Sequence, residues 1–348
     1  MHKSFKIGCK KIGDNSPCFL VAEVGQAHEG SLGVAHSYID LASEIGVDAI
    51  KFQMHFANEE STLDEKFRVN FSYQDKNRFE YWKRMEFSPD NWSKLRDYAF
   101  KKNILFSATP FSIKAVELLT RLNIDFWKIG SGDISFKPMI DEIIMKNNPI
   151  IFSTGLGNQN EINELTKKLK KKEKKFAILH CTSKYPALLK ETKLNMMNFY
   201  RKKYNCPSGL SDHSGNVNSA ISAIARSADI VEAHIIFEKN MFGPDSKASL
   251  SPEEFRLLKK YRDDYFEIQT NEYVKFFEDE EKKKNKILFG RSLSLKKDQK
   301  KGHVLSENDF LFKKPGTGIK SNDINKVVNK QLSRDVSSKK LLKWDDLK

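Results

Sequence analysis

Cysteine is sparse and unpaired in this chain. Cys9, Cys18, Cys181 and Cys206 form no C-x-x-C pair, which argues against a zinc cluster and against a disulfide framework. No apolar run is long enough to cross a bilayer, and the opening "MHKSFKIGCKKIG" lacks the apolar core of a signal peptide, so a cytoplasmic protein is expected. No aromatic residue interleaves with the lysines of the densest basic run, "KKLKKKEKKF" (Lys167 to Phe176). Without stacking platforms the run reads as a solvated helix face rather than a nucleic-acid contact. The first apolar segment is not followed by G-x-G-x-x-G, which weighs against a doubly wound dinucleotide-binding sheet.

What is present is a chain of 348 residues, 39% hydrophobic, with a net charge of +14. That length suits one large domain with a smaller companion. The spread-out positive charge favours small anionic substrates. Short apolar runs of β-branched and aromatic character recur: "CFLVAEV", "AIKFQ", "ILFSAT", "FWKIGS", "PIIFSTG", "FAILHCT", "PSGLSDH" and "IVEAHI". Between most of them lie amphipathic stretches of helical length, such as "AHSYIDLASEIGV" and "SIKAVELLTRLNI". Alternating strands and helices imply a parallel sheet, and eight strands of near-continuous apolar character predict a closed (β/α)₈ barrel.

The C-terminal ends of these runs carry the chemistry. They hold Glu23; Lys51 and Gln53; Ser107 and Thr109; Lys128, Ser131 and Asp133; Ser153 and Thr154; His180, Thr182 and Tyr185; Ser211 and His213; and His234. In a barrel such ends converge on one face. A lysine inside an apolar run, as in "AIKFQ" and "FWKIG", is costly to bury unless it meets an anion. The set reads as rich in cations and hydroxyls with few acids, suited to holding a phosphate and a carboxylate together. His213 and His234, a helix-length apart, are candidate joint ligands of a divalent metal with open positions, able to act as a Lewis acid toward a carbonyl oxygen. Of the other histidines, His28, His36, His55, His180 and His303 read as packed residues by default, with His180 alone at a strand end that also allows a site role.

The stretches "AEVGQAHEGSLGVAHSYIDLASEIGVDAIKFQ", "WKIGSGD", "STG", "HCTSKYP", "GLSDHSG", "EAHI" and "GPDSKASLSPEEF" resemble the sialic acid synthase family, which makes N-acetylneuraminate and related nonulosonic acids. "GRSLSLKKDQKKGHVLSENDFLFKKPGTGI" resembles the antifreeze-like (SAF) domain that follows the barrel in that family. The resemblance implies condensation of phosphoenolpyruvate with an open-chain N-acetylated amino sugar such as N-acetylmannosamine, and loss of phosphate by C–O cleavage. It implies that His213 and His234 bind Mn²⁺ or Mg²⁺, and that Lys51, Lys128, Ser131, Ser153 and Ser211 hold phosphate and carboxylate. By the same resemblance Tyr185 lies near the reacting groups, Glu23 handles protons or positions water, and Gln53, Asp133 and Asp245 lie close to the sugar. In the family the SAF domain completes the site of the other subunit in a domain-swapped homodimer. An arginine there contacts the N-acyl group, and Lys314 takes that position here. Three residues depart from the family pattern: Ala27 replaces Asn before "HEG", Asp133 replaces Glu in "GSGE", and Ser183 replaces Asn in "HCTSKYP".

A barrel over residues 1–284 and a SAF domain over 287–348 are therefore expected, the pattern changing to short strands from Ile287 after the charged "EDEEKKKNK" (Glu278 to Lys286). Ser251 and Glu254 form a capping box ahead of a helix. The same chemistry on a 2,4-diacetamido-trideoxyhexose, giving legionaminate or pseudaminate, is the alternative. A pyruvate-using aldolase of the same barrel class and a non-catalytic binding protein are the remaining readings.

Overall fold

The computed structural model describes residues 4–67, 71–270 and 280–348. Two short strands, β1 (Phe5–Ile7) and β2 (Lys10–Ile12), form an antiparallel hairpin. Eight further strands follow: β3 (Phe19–Gly25), β4 (Ala49–Met54), β5 (Leu105–Pro110), β6 (Trp127–Ile129), β7 (Ile150–Ser153), β8 (Phe176–Cys181), β9 (Ser208–Asp212) and β10 (Ile230–His234). These are the eight apolar segments of the sequence. They hydrogen-bond in the order β5-β4-β3-β10-β9-β8-β7-β6, so the last strand lies beside the first. The remaining seam, between β5 and β6, is joined by Asp125 N donating to Phe106 O at 3.0 Å and Ser107 Oγ donating to Phe126 O at 2.6 Å. The architecture is a TIM-type barrel.

Strand periodicity sorts the side chains. Phe19, Val21, Ala49, Phe126, Ile151, Ala177, Leu179 and Ile230 pack together in an apolar layer inside the ring. Phe5, Ile7 and Ile12 of the hairpin join that layer and stopper the N-terminal end. Further along, the same inward face turns polar at Glu23, Lys51, Lys128, Ser153 and Glu232. The outer faces pack against the helices in a larger cluster that includes Leu20, Ala22, Ile50, Phe52, Phe106 and Ile178.

The helices form where the apolar spacing predicts. Leu32–Ile45 is capped by Ser31, whose side chain accepts from Val34 N, and buries Ala35, Tyr38, Ile39, Ala42 and Ile45 on one stripe. Ile113–Leu122 likewise buries Ala115, Val116, Leu118, Leu119 and Leu122. The capping box is present: Ser251 N donates to Glu254 Oε2 at 2.7 Å, and Glu254 N to Ser251 Oγ at 3.3 Å. "KKLKKKEKKF" opens on the solvated side of the helix Gln159–Lys171.

The chain divides into two compact units, Met1–Asn271 and Glu272–Lys348. Glu278 and Asp279 of the charged stretch lie outside the described residues, and its remainder belongs to the helix Glu280–Phe289. Ile287 therefore lies in that helix, and the short strands begin at Ser292 with β11 (Ser292–Leu295), paired antiparallel to β12 (Phe310–Lys313). Leu293, Leu295, Leu305, Phe310, Ile319, Val327, Leu332 and Leu342 give the second unit its own core. No described helix is long and apolar enough to cross a membrane.

Asp48 ties the base of the barrel together. One oxygen accepts from Leu20 N and from Arg262 Nη1, both at 2.8 Å, and the other faces Lys10 Nζ at 3.0 Å. Arg262 also donates to Cys18 O at 3.0 Å, so the helix Pro252–Thr270 is locked to β3 and β4 through buried charge. Removing one partner of a buried pair leaves the other desolvated. Arg262→Leu is expected to destabilise the barrel by about 3 kcal/mol, read as a lower urea midpoint for the full chain, whereas the exposed Lys10→Ala should cost under about 1 kcal/mol.

Candidate active site

At the C-terminal end of the ring four buried charges meet. Lys51 Nζ lies 2.5 Å from Glu23 Oε2 and donates to Thr109 Oγ1 at 3.0 Å. Its second anion is Glu232, at 3.7 Å. Lys128 Nζ stands 3.4 Å from Glu232 and donates to Ser153 Oγ at 2.7 Å. Ser211 Oγ donates to Glu232 Oε1 at 3.0 Å. Burial works against the charge on Lys51, yet Glu23 and Glu232 outweigh it and hold its pKa above the ordinary lysine value. Burial and the charge of Lys51 depress Lys128 despite Glu232. Burial alone would raise Glu232, but the two lysines hold its carboxyl below the usual carboxylate range.

This corrects one sequence expectation. The converging set is not poor in acids: Glu232 is central to it, and the lysines already have protein anions. The signal was available, since a glutamate inside the apolar "IVEAHI" requires the same compensation as the lysines of "AIKFQ" and "FWKIG". Cys181 was also missed as a site neighbour. It is inward-facing and its Sγ lies 3.6 Å from His213 Nδ1.

His213 and His234 stand side by side, ring centroids 5.5 Å apart. His213 Nδ1 is within 3.2 Å of the Thr182 carbonyl, which can only accept, so the neutral ring carries its proton there and leaves Nε2 with a lone pair, 3.1 Å from the Tyr185 hydroxyl. Burial, then the neighbouring His234, lowers the His213 pKa to about 3, which keeps the ring neutral. His234 Nδ1 is buried without a hydrogen-bond partner. The chain makes room for this ring at Gly25, where β3 slips register against β4. A side chain there would begin 3.1 Å from His234 Cε1 and 3.6 Å from Asp245 Oδ2, and its φ of +55° disfavours other residues. A neutral His213 beside His234, whose Nδ1 is orphaned, fits a divalent cation. No third His, Cys, Asp or Glu joins them as a ligand cluster among the described residues. Water or substrate would have to supply the other positions.

Around this centre, Gln53 Nε2 donates to Glu23 Oε1 at 2.9 Å. Ser131 and Ser183 hydroxyls lie 3.1 Å apart, so the serine in place of the family asparagine faces a residue of the expected phosphate set. Burial raises the Asp133 pKa to about 6, helped by Glu60. His180, one residue out of phase with Cys181, faces away from the centre toward Tyr200, centroid distance 6.4 Å. His28 is packed against Phe87 at 4.7 Å and accepts from Gly30 N. Lys314 belongs to the second unit, its ammonium 5.2 Å from the centre of the Phe289 ring.

Comparison with known proteins places this arrangement. The NeuB family model matches residues 38–272, and the SAF domain model matches 290–348. The chain belongs to the NeuB family. It is a synthase-type transferase with a SAF domain. It is 32% identical over 330 residues to the N,N'-diacetyllegionaminic acid synthase of Campylobacter jejuni, covering 93% of this chain and 98% of that one. It is 33% identical over 251 residues to the N-acetylneuraminate-9-phosphate synthase of Homo sapiens, covering 71% and 70%. Among solved structures, the N-acetylneuraminic acid synthetase of Leptospira borgpetersenii in complex with citrate superposes with a TM-score of 0.71 at 28% identity, covering 82% of this chain and 96% of that one.

The charge cluster makes a stability test. With Glu232 neutralised, two buried ammonium groups lose a shared counter-ion. Glu232→Gln is expected to lower stability by about 3 kcal/mol in anion-free buffer, with added inorganic phosphate recovering more in the variant than in the wild type. Because the Glu232 pKa is depressed, its contribution is complete above the ordinary carboxylate range and disappears as pH falls through and below it. Thermal unfolding across acidic pH should therefore bring variant and wild type together.

Proposed function

We propose that this chain is a nonulosonic acid synthase of the cytoplasm that joins phosphoenolpyruvate to an open-chain N-acetylated amino sugar. The observation that carries the reading is the pair of buried lysines, each touching a glutamate, beside the paired histidines His213 and His234 at the C-terminal end of the barrel. Lys51 and Lys128, with Ser131, Ser153 and Ser211, hold the phosphate and carboxylate. The incoming anion competes with Glu232 for the lysines, so binding exchanges one charge pair for another. His213 and His234 would hold Mn²⁺ or Mg²⁺, which supplies Lewis-acid polarisation of the sugar aldehyde. Phosphoenolpyruvate C3 forms the new C–C bond to the aldehyde carbon, and the aldehyde oxygen takes up a proton. Water adds at C2, giving up a proton with Glu23 placed to accept it. The C2–O bond to phosphate then breaks, leaving a 2-keto acid.

Gln53, Asp133 and Asp245 are assigned to the sugar, with Tyr185 beside the reacting groups. N-acetylmannosamine and a 2,4-diacetamido-trideoxyhexose are both candidate acceptors. The near full-length match to a relative named for diacetyllegionaminic acid favours the second. Lys314 is assigned to the acyl group in the partner subunit of a domain-swapped homodimer, where an ammonium offers one point of contact instead of a planar fork.

Phosphate release with each sugar decides the reaction. Oxygen-18 placed in the C2–O bridge of phosphoenolpyruvate should appear in phosphate, whereas label retained in the keto acid, or activity with pyruvate alone, would reject the scheme. Chelation should abolish turnover, and added Mn²⁺ or Mg²⁺ should restore it. Lys51→Met and Lys128→Met should each raise KM for phosphoenolpyruvate at least about tenfold with little change in KM for the sugar. Mixing His213→Ala chains with Lys314→Ala chains should recover activity, since one site of the mixed dimer is whole. No recovery from mixed dimers proven to form, with Lys314→Ala impaired alone, would assign each site to a single chain.

A further inference from the structure

His55 follows β4 and is buried, although the sequence suggests no more than a packed residue there. Its ring lies flat between Trp82 and Phe111, with centroid distances of 4.0 and 4.3 Å and interplanar angles of 11° and 10°. A ring clamped on both faces can turn only in its own plane, so both nitrogens have fixed partners. Nδ1 is 2.7 Å from Glu60 Oε1, and Nε2 is 3.3 Å from Gln53 Oε1.

Hydrogen-bond bookkeeping then leaves few arrangements. Glu23, paired with Lys51 at 2.5 Å, is an ionised acceptor, so Gln53 must present its NH₂ there. The carbonyl oxygen of Gln53 therefore faces His55, and it also accepts from Gln26 Nε2 at 3.2 Å. His55 Nε2 must carry a hydrogen to meet it. Nδ1 then faces Glu60 with either a lone pair or a second hydrogen. The first needs a protonated Glu60, the second an ionised one. Each case places one extra proton on the pair. Without it, a lone pair opposes a lone pair at one of the two contacts.

We propose that His55 and Glu60 share this proton and act as positioning residues, aiming the Gln53 amide so that its NH₂ faces Glu23 and the substrate. The proposal rests on the reading that Glu23 and Gln53 serve the condensation. Electrostatics agree with the geometry. Burial, with Glu65 and Glu86 nearby, pushes Glu60 up to about 8 against the pull of Arg78. Burial, with Arg78, lowers His55 to about 3 although Glu23, Asp245 and Glu65 oppose it. His28 and Asp133 are the other titrating groups coupled to the pair. The proton therefore sits on Glu60 at neutral pH, and the pair loses it as pH rises through about 8.

Glu60→Gln separates this role from packing, because an amide can donate to Nδ1 at every pH. The wild-type metal-loaded enzyme should lose turnover on the alkaline side, while Glu60→Gln keeps activity near neutrality and loses that alkaline limb. His55→Phe keeps the aromatic sandwich without the Nε2–H. It should lower kcat about tenfold, the worth of one positioning hydrogen bond, with KM for phosphoenolpyruvate unchanged. An alkaline limb that persists in Glu60→Gln, or a His55→Phe enzyme with wild-type kcat, would overturn the proposal. A readout independent of turnover is the imidazole tautomer by ¹⁵N NMR of the wild-type full chain, with His55 assigned by its variant. An Nε2–H tautomer at neutral pH supports the proposal, and a neutral Nδ1–H tautomer overturns it. If no sugar is turned over, the functional reading fails while the tautomer still decides the role of the pair.

Discussion

Everything at the mouth of this barrel depends on the mutual neutralisation of Lys51, Glu23, Glu232 and Lys128. Four ionised groups taken from water would separately be prohibitive, and the barrel tolerates them because each contacts a charge of opposite sign. The ring of strands makes this possible by bringing the ends of β3, β4, β6 and β10 into one small space. Hydroxyls of Thr109, Ser153 and Ser211 take up hydrogen-bonding capacity that the ion pairs leave over. The site is thus built before any substrate arrives, with its cationic surface already present and provisionally occupied.

Beyond this cluster the polar groups form a graded chain from the interior outward. Glu23 holds Gln53, Gln53 holds His55, and His55 holds Glu60. Each contact fixes the donor or acceptor sense of the next, because a carboxylate only accepts and an amide has two distinct ends. On the opposite side, Thr182 fixes the tautomer of His213 and Gly25 leaves space for His234. Two independent sets of neighbours therefore orient the Glu23–Gln53 side and the His213–His234 side.

Much of this was legible in the sequence. The eight strands were readable because buried parallel strands are apolar on both faces, and the candidate site residues stood out as polar interruptions at their ends. The roles of individual histidines were not. His180 and Cys181 differ by one position and point to opposite faces, a distinction that depends on register. His55 looked like packing because its partners, Glu60, Trp82 and Phe111, come from segments whose convergence only the fold reveals. Glu232 stayed outside the candidate set for a different reason: the lysines were matched to an external anion when the protein supplies one. The lysines of the charged stretch continue a helix to Phe289, a length that the run of like charges does not reveal.

The hairpin at the N-terminal end has a bearing on traffic. By filling the floor of the ring with Phe5, Ile7 and Ile12, it makes the chamber a cul-de-sac, with its entrance at the opposite rim. In a cul-de-sac the order of arrival governs the order of departure. Whatever docks on the lysine layer stands behind whatever docks on Gln53, one step nearer the rim. On the reading above, phosphoenolpyruvate enters ahead of the sugar.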